Sequence, residues 1–68
     1  MSNLTKIAVD AMGGDGSPKK IIDGIIHSHE TNKKNFFRIF GNKIIIEALI
    51  KNKLHKDFYE ITHTDNVV

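Results

Sequence analysis

The sequence contains no cysteine and no tryptophan, and its 68 residues include one proline and five glycines. Without cysteine the chain can form no disulfide, no thiolate nucleophile and no cysteine-ligated zinc site. Ten Lys and Arg residues against eight Asp and Glu residues leave a net charge of +2. This charge is too small for the basic surface typical of nucleic-acid binding, so we expect no nucleic-acid partner.

Long apolar segments are also missing, and no continuous run is longer than three residues, the length of Ile44–Ile46. A signal peptide needs an apolar stretch of about 7–15 residues, and a transmembrane helix needs about 20. No targeting or spanning segment is recognisable. We therefore expect a cytoplasmic protein, and a peripheral contact with the inner face of the membrane stays compatible with the sequence.

The chain length of 68 residues predicts one domain at most, because domains commonly have about 100–150 residues. A chain of this size buries only about 60% of the surface that it exposes when unfolded. Small chains usually depend on a disulfide, a metal, a partner or unusually well-packed helices. We therefore expect residues 1–68 to be the N-terminal fragment of a larger domain.

Strand-like and helix-like segments alternate along the chain. Apolar and β-branched runs predict strands over residues 4–10, 36–40 and 58–63. Apolar residues at helical spacing predict helices over residues 18–30 and 43–53. The resulting βαβαβ order predicts an α/β fold with a parallel sheet, in which both helices lie on one face and the other face is bare.

Local signals mark the helix starts and their apolar faces. Ser17 is the expected N-cap of the first helix, and Asn42 that of the second. Gly24, inside the first helix, would allow close packing against a strand. The expected buried faces are Ile21, Ile22, Ile25 and Ile26 in the first helix and Ile45, Ile46, Leu49 and Ile50 in the second.

A glycine-rich loop between the first strand and the first helix is the main candidate for function. Gly13, Gly14 and Gly16 let the backbone approach a ligand closely, and the N-terminus of the following helix favours an anion. No Gly-Lys-Ser/Thr follows, so this is not a Walker A loop, and the dinucleotide fingerprint lacks its third glycine. A phosphate-binding loop and a tight turn without a ligand are equally compatible with the pattern.

Two carboxylates accompany this loop. Asp10 stands at the end of the first strand, where ligands bind in open α/β sheets. For Asp15, inside the loop, we favour a structural role in which its carboxylate accepts backbone N–H groups. Both carboxylates would repel phosphate unless cations such as Lys19 or Lys20 offset them.

The run Ile-Ala-Val-Asp-Ala-Met-Gly-Gly-Asp-x-x-Pro over residues 7–18 closely resembles the N-terminus of the bacterial phosphate acyltransferases (PlsX). Ile22-Asp23-Gly24, Phe40-Gly41-Asn42 and the segment from Ile61 to Val68 extend the resemblance over essentially the whole chain. The resemblance implies a three-layer parallel-sheet fold similar to the isocitrate and isopropylmalate dehydrogenases. It also implies a homodimer that needs no organic cofactor.

The implied activity is a step of phospholipid synthesis. It transfers a fatty acyl group from acyl carrier protein to inorganic phosphate and gives acyl phosphate. The residues expected to contact phosphate are Asp10, Gly13, Gly14 and Asp15. No catalytic residue can be named. We expect the 68-residue chain to be inactive alone, and two alternatives remain: a small anion-binding module that uses the Gly13-Gly14 loop, and a gene remnant without function.

Histidines are the remaining candidates. His27 and His29 are two residues apart on the predicted helix, so they do not share a face, and we expect no metal site there. His63 stands near the end of the third strand, and we favour a structural role for it over a catalytic one.

Overall fold

The computed structural model describes residues 3–64. Its elements, in chain order, are β1 (Thr5–Asp10), α1 (Lys19–Thr31), β2 (Asn35–Gly41), α2 (Lys43–Ile50), a 3-10 helix (Lys56–Phe58) and β3 (Tyr59–His63). The predicted βαβαβ order is confirmed. Residues 65–68, the end of the Ile61–Val68 segment that carries part of the resemblance, are outside the described residues. Within residues 3–64 no helix is long and apolar enough to cross a membrane.

The three strands form one parallel sheet in the order β1-β2-β3. Asp10, the last residue of β1, is opposite Phe40, and Gly41, the last residue of β2, is opposite His63 of β3. The carboxyl ends of all three strands therefore meet at one edge of the sheet, here named the carboxyl edge. In open α/β sheets this is the edge at which ligands bind.

Both helices pack on the same face of the sheet, as the βαβαβ pattern predicts. The buried core consists of Ala11, Ile22, Ile25, Phe37, Ile39, Ile46, Ile50 and Leu54. Side chains alternate along a strand, so Arg38, between buried Phe37 and Ile39, is on the opposite face. There it forms an ion pair with Glu60, and about half of each side chain is exposed. No helix of residues 3–64 covers this second face.

The start of α1 differs from the prediction. Ser17 is not the N-cap: Pro18 occupies that position without a side-chain hydrogen bond, and the helix begins at Lys19. The Ser17 hydroxyl donates instead to the carbonyl oxygen of Gly13. The close packing expected at Gly24 is also not found, because a Cβ at this position would meet no atom within 4 Å. Close approach to a strand therefore does not require this glycine.

The N-cap of α2 is confirmed, whereas its end and one of its apolar residues are not as predicted. The Asn42 Oδ1 atom accepts a hydrogen bond from the Ile45 N–H at 3.2 Å. The helix ends at Ile50 instead of Lys53, because the chain turns back and buries Leu54 in the core. Ile45 is 43% exposed, since the buried side of α2 is centred on Ile46 and Ile50, one helical turn apart.

Candidate functional site

The glycine loop, residues 11–18, joins β1 to α1 at the carboxyl edge. Its first residue, Ala11, is fully buried in the core. The Ala11 N–H donates to the Phe40 carbonyl oxygen at 2.9 Å, which continues the β1–β2 pairing by one residue. The loop therefore begins from a fixed point on the sheet.

Asp10 shapes the start of this loop. Its Oδ1 atom accepts a hydrogen bond from the Met12 N–H at 3.0 Å, which is the pattern of an Asx turn. A Cβ on Gly13 would lie 3.7 Å from the Asp10 Oδ2 atom, so the carboxylate and this glycine are neighbours. The structure therefore brings together two of the four expected site residues.

The role predicted for Asp15 belongs instead to Asp10. No hydrogen bond to the Asp15 side chain occurs in the part of the chain that the structure describes, and Asp15 is exposed. A turn-forming aspartate usually accepts an N–H two residues further along the chain. For Asp10 that donor is Met12, whose position is already set by buried Ala11.

The next part of the loop presents unpaired backbone donors. Within residues 3–64 the N–H groups of Gly13, Gly14 and Asp15 donate to no protein acceptor, and all three residues are exposed. Gly14 has a φ of +88°, a conformation that glycine adopts without strain. A series of such N–H groups just before a helix favours an anion. The geometry therefore suits a phosphate group.

Of the two lysines at the start of α1, Lys20 is better placed beside this loop. A Cβ on Gly16 would lie 3.6 Å from the Lys20 Cβ and Cδ atoms, so the Lys20 stem runs along the loop. Lys19 is engaged elsewhere, because its Nζ atom donates to an Asp23 carboxylate oxygen at 2.8 Å. That hydrogen bond is the main reason why the pKa of Asp23 lies below its usual value.

Sequence reasoning missed the contact that joins the loop to β2. A Cβ on Gly41 would lie 2.7 Å from the Met12 Cγ atom and 2.8 Å from the Ile46 Cδ1 atom. Met12 therefore packs directly on the Gly41 backbone. The resemblance included Phe40-Gly41-Asn42, but only the parallel register of the strands brings Met12 to Gly41.

His63 has the structural role that we favoured. Its Nδ1 atom accepts a hydrogen bond from the Lys43 N–H, at 3.1 Å, in the first turn of α2. The Thr64 N–H donates to the Gly41 carbonyl oxygen at 2.9 Å. These two hydrogen bonds tie the end of β3 to the β2–α2 turn. The Asn42 side chain and the His63 imidazole thus both satisfy backbone donors at the start of α2.

The two histidines of α1, His27 and His29, lie in different environments. His27 is exposed, whereas the His29 ring packs on the Phe58 ring with a centroid distance of 4.5 Å. Desolvation lowers the pKa of His29, and the positive charge of Lys33 adds to this effect. Over residues 3–64 there is no group of three or more His, Asp or Glu side chains that could hold a metal ion.

Comparison with known proteins agrees with the loop sequence. A family model described as "Fatty acid synthesis protein" matches residues 5–68. The chain is 54% identical over 68 residues to the phosphate acyltransferase of Pelagibacter ubique, covering 100% of this chain and 20% of that protein. It is 38% identical over 63 residues to the phosphate acyltransferase of Bacillus subtilis, covering 93% of this chain and 18% of that protein.

A third relative, the phosphate acyltransferase of Lactiplantibacillus plantarum, is 34% identical over 65 residues, which is 96% of this chain and 18% of that protein. The chain therefore spans about a fifth of the length of the curated relatives that it matches. Every element from β1 to β3 falls within the region that the family model matches.

Proposed function

We infer the activity of this chain from its family: it belongs to the fatty acid synthesis protein family, and its relatives above are phosphate acyltransferases. We propose that the chain provides the phosphate-binding part of an enzyme that transfers a fatty acyl group from acyl carrier protein to inorganic phosphate. The product, acyl phosphate, would enter phospholipid synthesis.

In the proposed reaction a phosphate oxygen attacks the carbonyl carbon of the thioester. The C–S bond breaks, the new C–O bond gives acyl phosphate, and the departing sulfur takes the phosphate's proton to become the carrier-protein thiol. Phosphate is already a nucleophilic anion at neutral pH, so the protein's main tasks are to position it and to stabilise the negative charge that develops on the carbonyl oxygen.

The observation that carries this proposal is the exposed segment of Gly13, Gly14 and Asp15, whose N–H groups have no protein acceptor within residues 3–64. Asp10 holds the loop in this shape through the Met12 N–H, and Lys20 adds a positive charge beside it. Because backbone donors need no side-chain ordering, they can position a phosphate at little entropic cost. Asp10 thus acts through the loop, as a positioning residue.

The complete enzyme would have acyl carrier protein and inorganic phosphate as partners, act as a homodimer in the cytoplasm, and contact the inner face of the membrane peripherally. These features rest on the family resemblance. A parallel sheet normally has both faces covered, so the Arg38–Glu60 face suits further parts of such an enzyme. We accordingly expect the 68-residue chain alone to bind phosphate without producing acyl phosphate.

A chimera tests the activity. Residues 1–68 would replace the matching first fifth of the Pelagibacter ubique relative, and phosphate-dependent release of carrier-protein thiol would be measured. We expect the chimera to be active, with Asp10→Ala lowering the rate and Asp15→Ala leaving it nearly unchanged. A chimera that folds and dimerises like the parent enzyme but releases no thiol would sink the proposal and favour a remnant without function.

A phosphate titration of the 68-residue chain tests the site itself. Phosphate should shift the amide resonances of Gly13, Gly14 and Asp15 more than those of α2. Asp10→Ala also removes a negative charge beside Gly13, but it should weaken binding, because the Met12 N–H loses the acceptor that holds the loop in shape. Asp15→Ala removes a negative charge and should not weaken it. Shifts spread evenly over the chain would contradict a phosphate site at this loop, whatever the result with the chimera.

A further inference from the structure

A concave site lies at the opposite edge of the sheet from the glycine loop. It is an open cleft of about 790 Å³, here named the lysine cleft, lined by residues 51–56 together with Glu47 and Tyr59. Tyr59 begins β3, whereas the glycine loop follows the end of β1. Because the strands are parallel, the cleft and the loop are at opposite edges and cannot share one small ligand.

The lining of the lysine cleft is strongly positive for its size. Lys51, Lys53 and Lys56 stand against one carboxylate, that of Glu47. The lining thus has an excess of two positive charges, which equals the net charge of +2 of the entire chain. None of the three lysines forms an ion pair within residues 3–64. Two carboxylates outside the lining are nearby: besides the Lys19 hydrogen bond, the charge of Lys53 helps to lower the pKa of Asp23, and an Asp57 carboxylate oxygen lies 3.4 Å from the His55 Nδ1 atom.

The backbone that carries these lysines is held in place. Leu54 is 7% exposed and anchors the segment in the core. Asn52 takes the left-handed conformation, with a φ of +63°, which asparagine tolerates better than most residues. The His55 Nδ1 atom accepts the Asp57 N–H at 3.1 Å, which fixes the start of the 3-10 helix. A fixed frame reduces the ordering cost of binding.

The lining of the lysine cleft also includes apolar and hydrogen-bonding residues. Half-buried Tyr59 and buried Leu54 are among the lining residues beside the lysines. When neutral, a histidine that accepts at Nδ1 carries its proton on Nε2, so His55 adds a hydrogen-bond donor. Small-molecule sites typically have volumes of about 300–1,000 Å³ and combine apolar lining with a few polar groups.

We propose that the lysine cleft binds a small organic molecule that carries two or more phosphate groups. Lysines act as point charges toward phosphate, and three of them on one short segment can each contact a different phosphate group. Tyr59 would contact the organic part of the ligand. The proposal is independent of the acyltransferase function, because it uses none of the residues of the glycine loop.

The test is an amide-resonance titration of the 68-residue chain with ATP, inorganic triphosphate and adenosine, each without added metal. ATP and triphosphate should shift residues 51–56, and ATP alone should also shift Tyr59. Adenosine should shift none of them. The variant with Lys51→Gln, Lys53→Gln and Lys56→Gln should bind ATP at least about tenfold more weakly, a loss consistent with three exposed charge contacts.

A matched control carries Lys6→Gln, Lys34→Gln and Lys43→Gln, three exposed lysines outside the cleft. It lowers the net charge equally and should weaken ATP binding less than about threefold, because salt screens exposed charges that lie away from the ligand. Equal loss in both variants would overturn the proposal, since ATP would then respond to net charge. Shifts confined to the glycine loop, equal shifts with adenosine, or a spectrum without dispersed resonances would overturn it too.

Discussion

Replacing Gly41 with alanine tests the contact between the end of β2 and the glycine loop. The added Cβ would lie 2.7 Å from the Met12 Cγ atom and 2.8 Å from the Ile46 Cδ1 atom. Both distances are well below van der Waals contact, so the neighbours must move. Met12 is 42% exposed and can swing toward solvent, whereas Ile46 is fully buried and cannot leave without disturbing the core.

The cost should therefore come from two sources: the contact with Ile46, and the φ of +158° at Gly41, which an L side chain rarely adopts. Overpacking a well-packed core typically costs about 1–3 kcal/mol, and we expect about 2 kcal/mol for Gly41→Ala. In a domain of this size 1 kcal/mol corresponds to a shift of about 4–8 °C in melting temperature. The variant should thus melt about 8–16 °C below the parent chain, as measured by the far-ultraviolet circular dichroism of its helices.

Gly24→Ala is the matched control, because it makes the same chemical change at an exposed position of α1. No atom lies within 4 Å of the added Cβ, and alanine is favoured over glycine in a helix by about 0.5–1 kcal/mol. This variant should melt higher than the parent chain. The same substitution thus has opposite signs at the two glycines.

A double-mutant cycle identifies the side chain that the new methyl group contacts. Ile46→Val removes the Cδ1 atom that the new methyl group would meet. Gly41→Ala combined with Ile46→Val should therefore cost less than the sum of the two single changes, which is the signature of a direct interaction. Gly41→Ala combined with Met12→Ala should recover little stability, because the Met12 side chain can already move toward solvent. The reasoning is refuted if Gly41→Ala melts at the parent temperature, or if the Met12 combination restores more stability than the Ile46 combination.

Three further predictions concern the core, a helix cap and pH. Ile39 is fully buried, so Ile39→Ala should cost about 2–5 kcal/mol and largely unfold the chain. Ile44 is 78% exposed, and Ile44→Ala should change the melting temperature by only a few degrees. Equal melting temperatures for the two variants would contradict the packing. Asn42→Ala should cost about 1 kcal/mol, seen as a lower denaturant midpoint, because the Ile45 N–H loses its acceptor. The pKa of His29 is lowered in the folded chain, chiefly by desolvation, so the unfolded chain binds more protons and stability should fall as pH drops below about 6.5. His29→Gln should flatten this dependence and exposed His27→Gln should keep it; identical pH profiles for the two variants would refute the assignment.

Local sequence signals were sufficient for the order of elements and for the place of the candidate site. The apolar periodicity around Ile22 and Ile25 and the cap residue Asn42 act over a few residues, so they can be recognised without tertiary contacts. The same holds for the glycine loop, whose run from Ile7 to Pro18 also carries the family resemblance. The family membership of the chain follows from these residues alone.

The tertiary structure decided which residues hold that loop. The parallel register brings Met12 onto Gly41, and buried Ala11 sets the turn in which Asp10, and not Asp15, accepts a backbone N–H. Burial of Leu54 places the end of α2 at Ile50, three residues before the predicted end at Lys53. Each of these outcomes depends on residues that are distant in sequence or on the burial of a neighbour. Local propensity therefore determined the elements of this protein, and packing between strand ends determined the shape of its site.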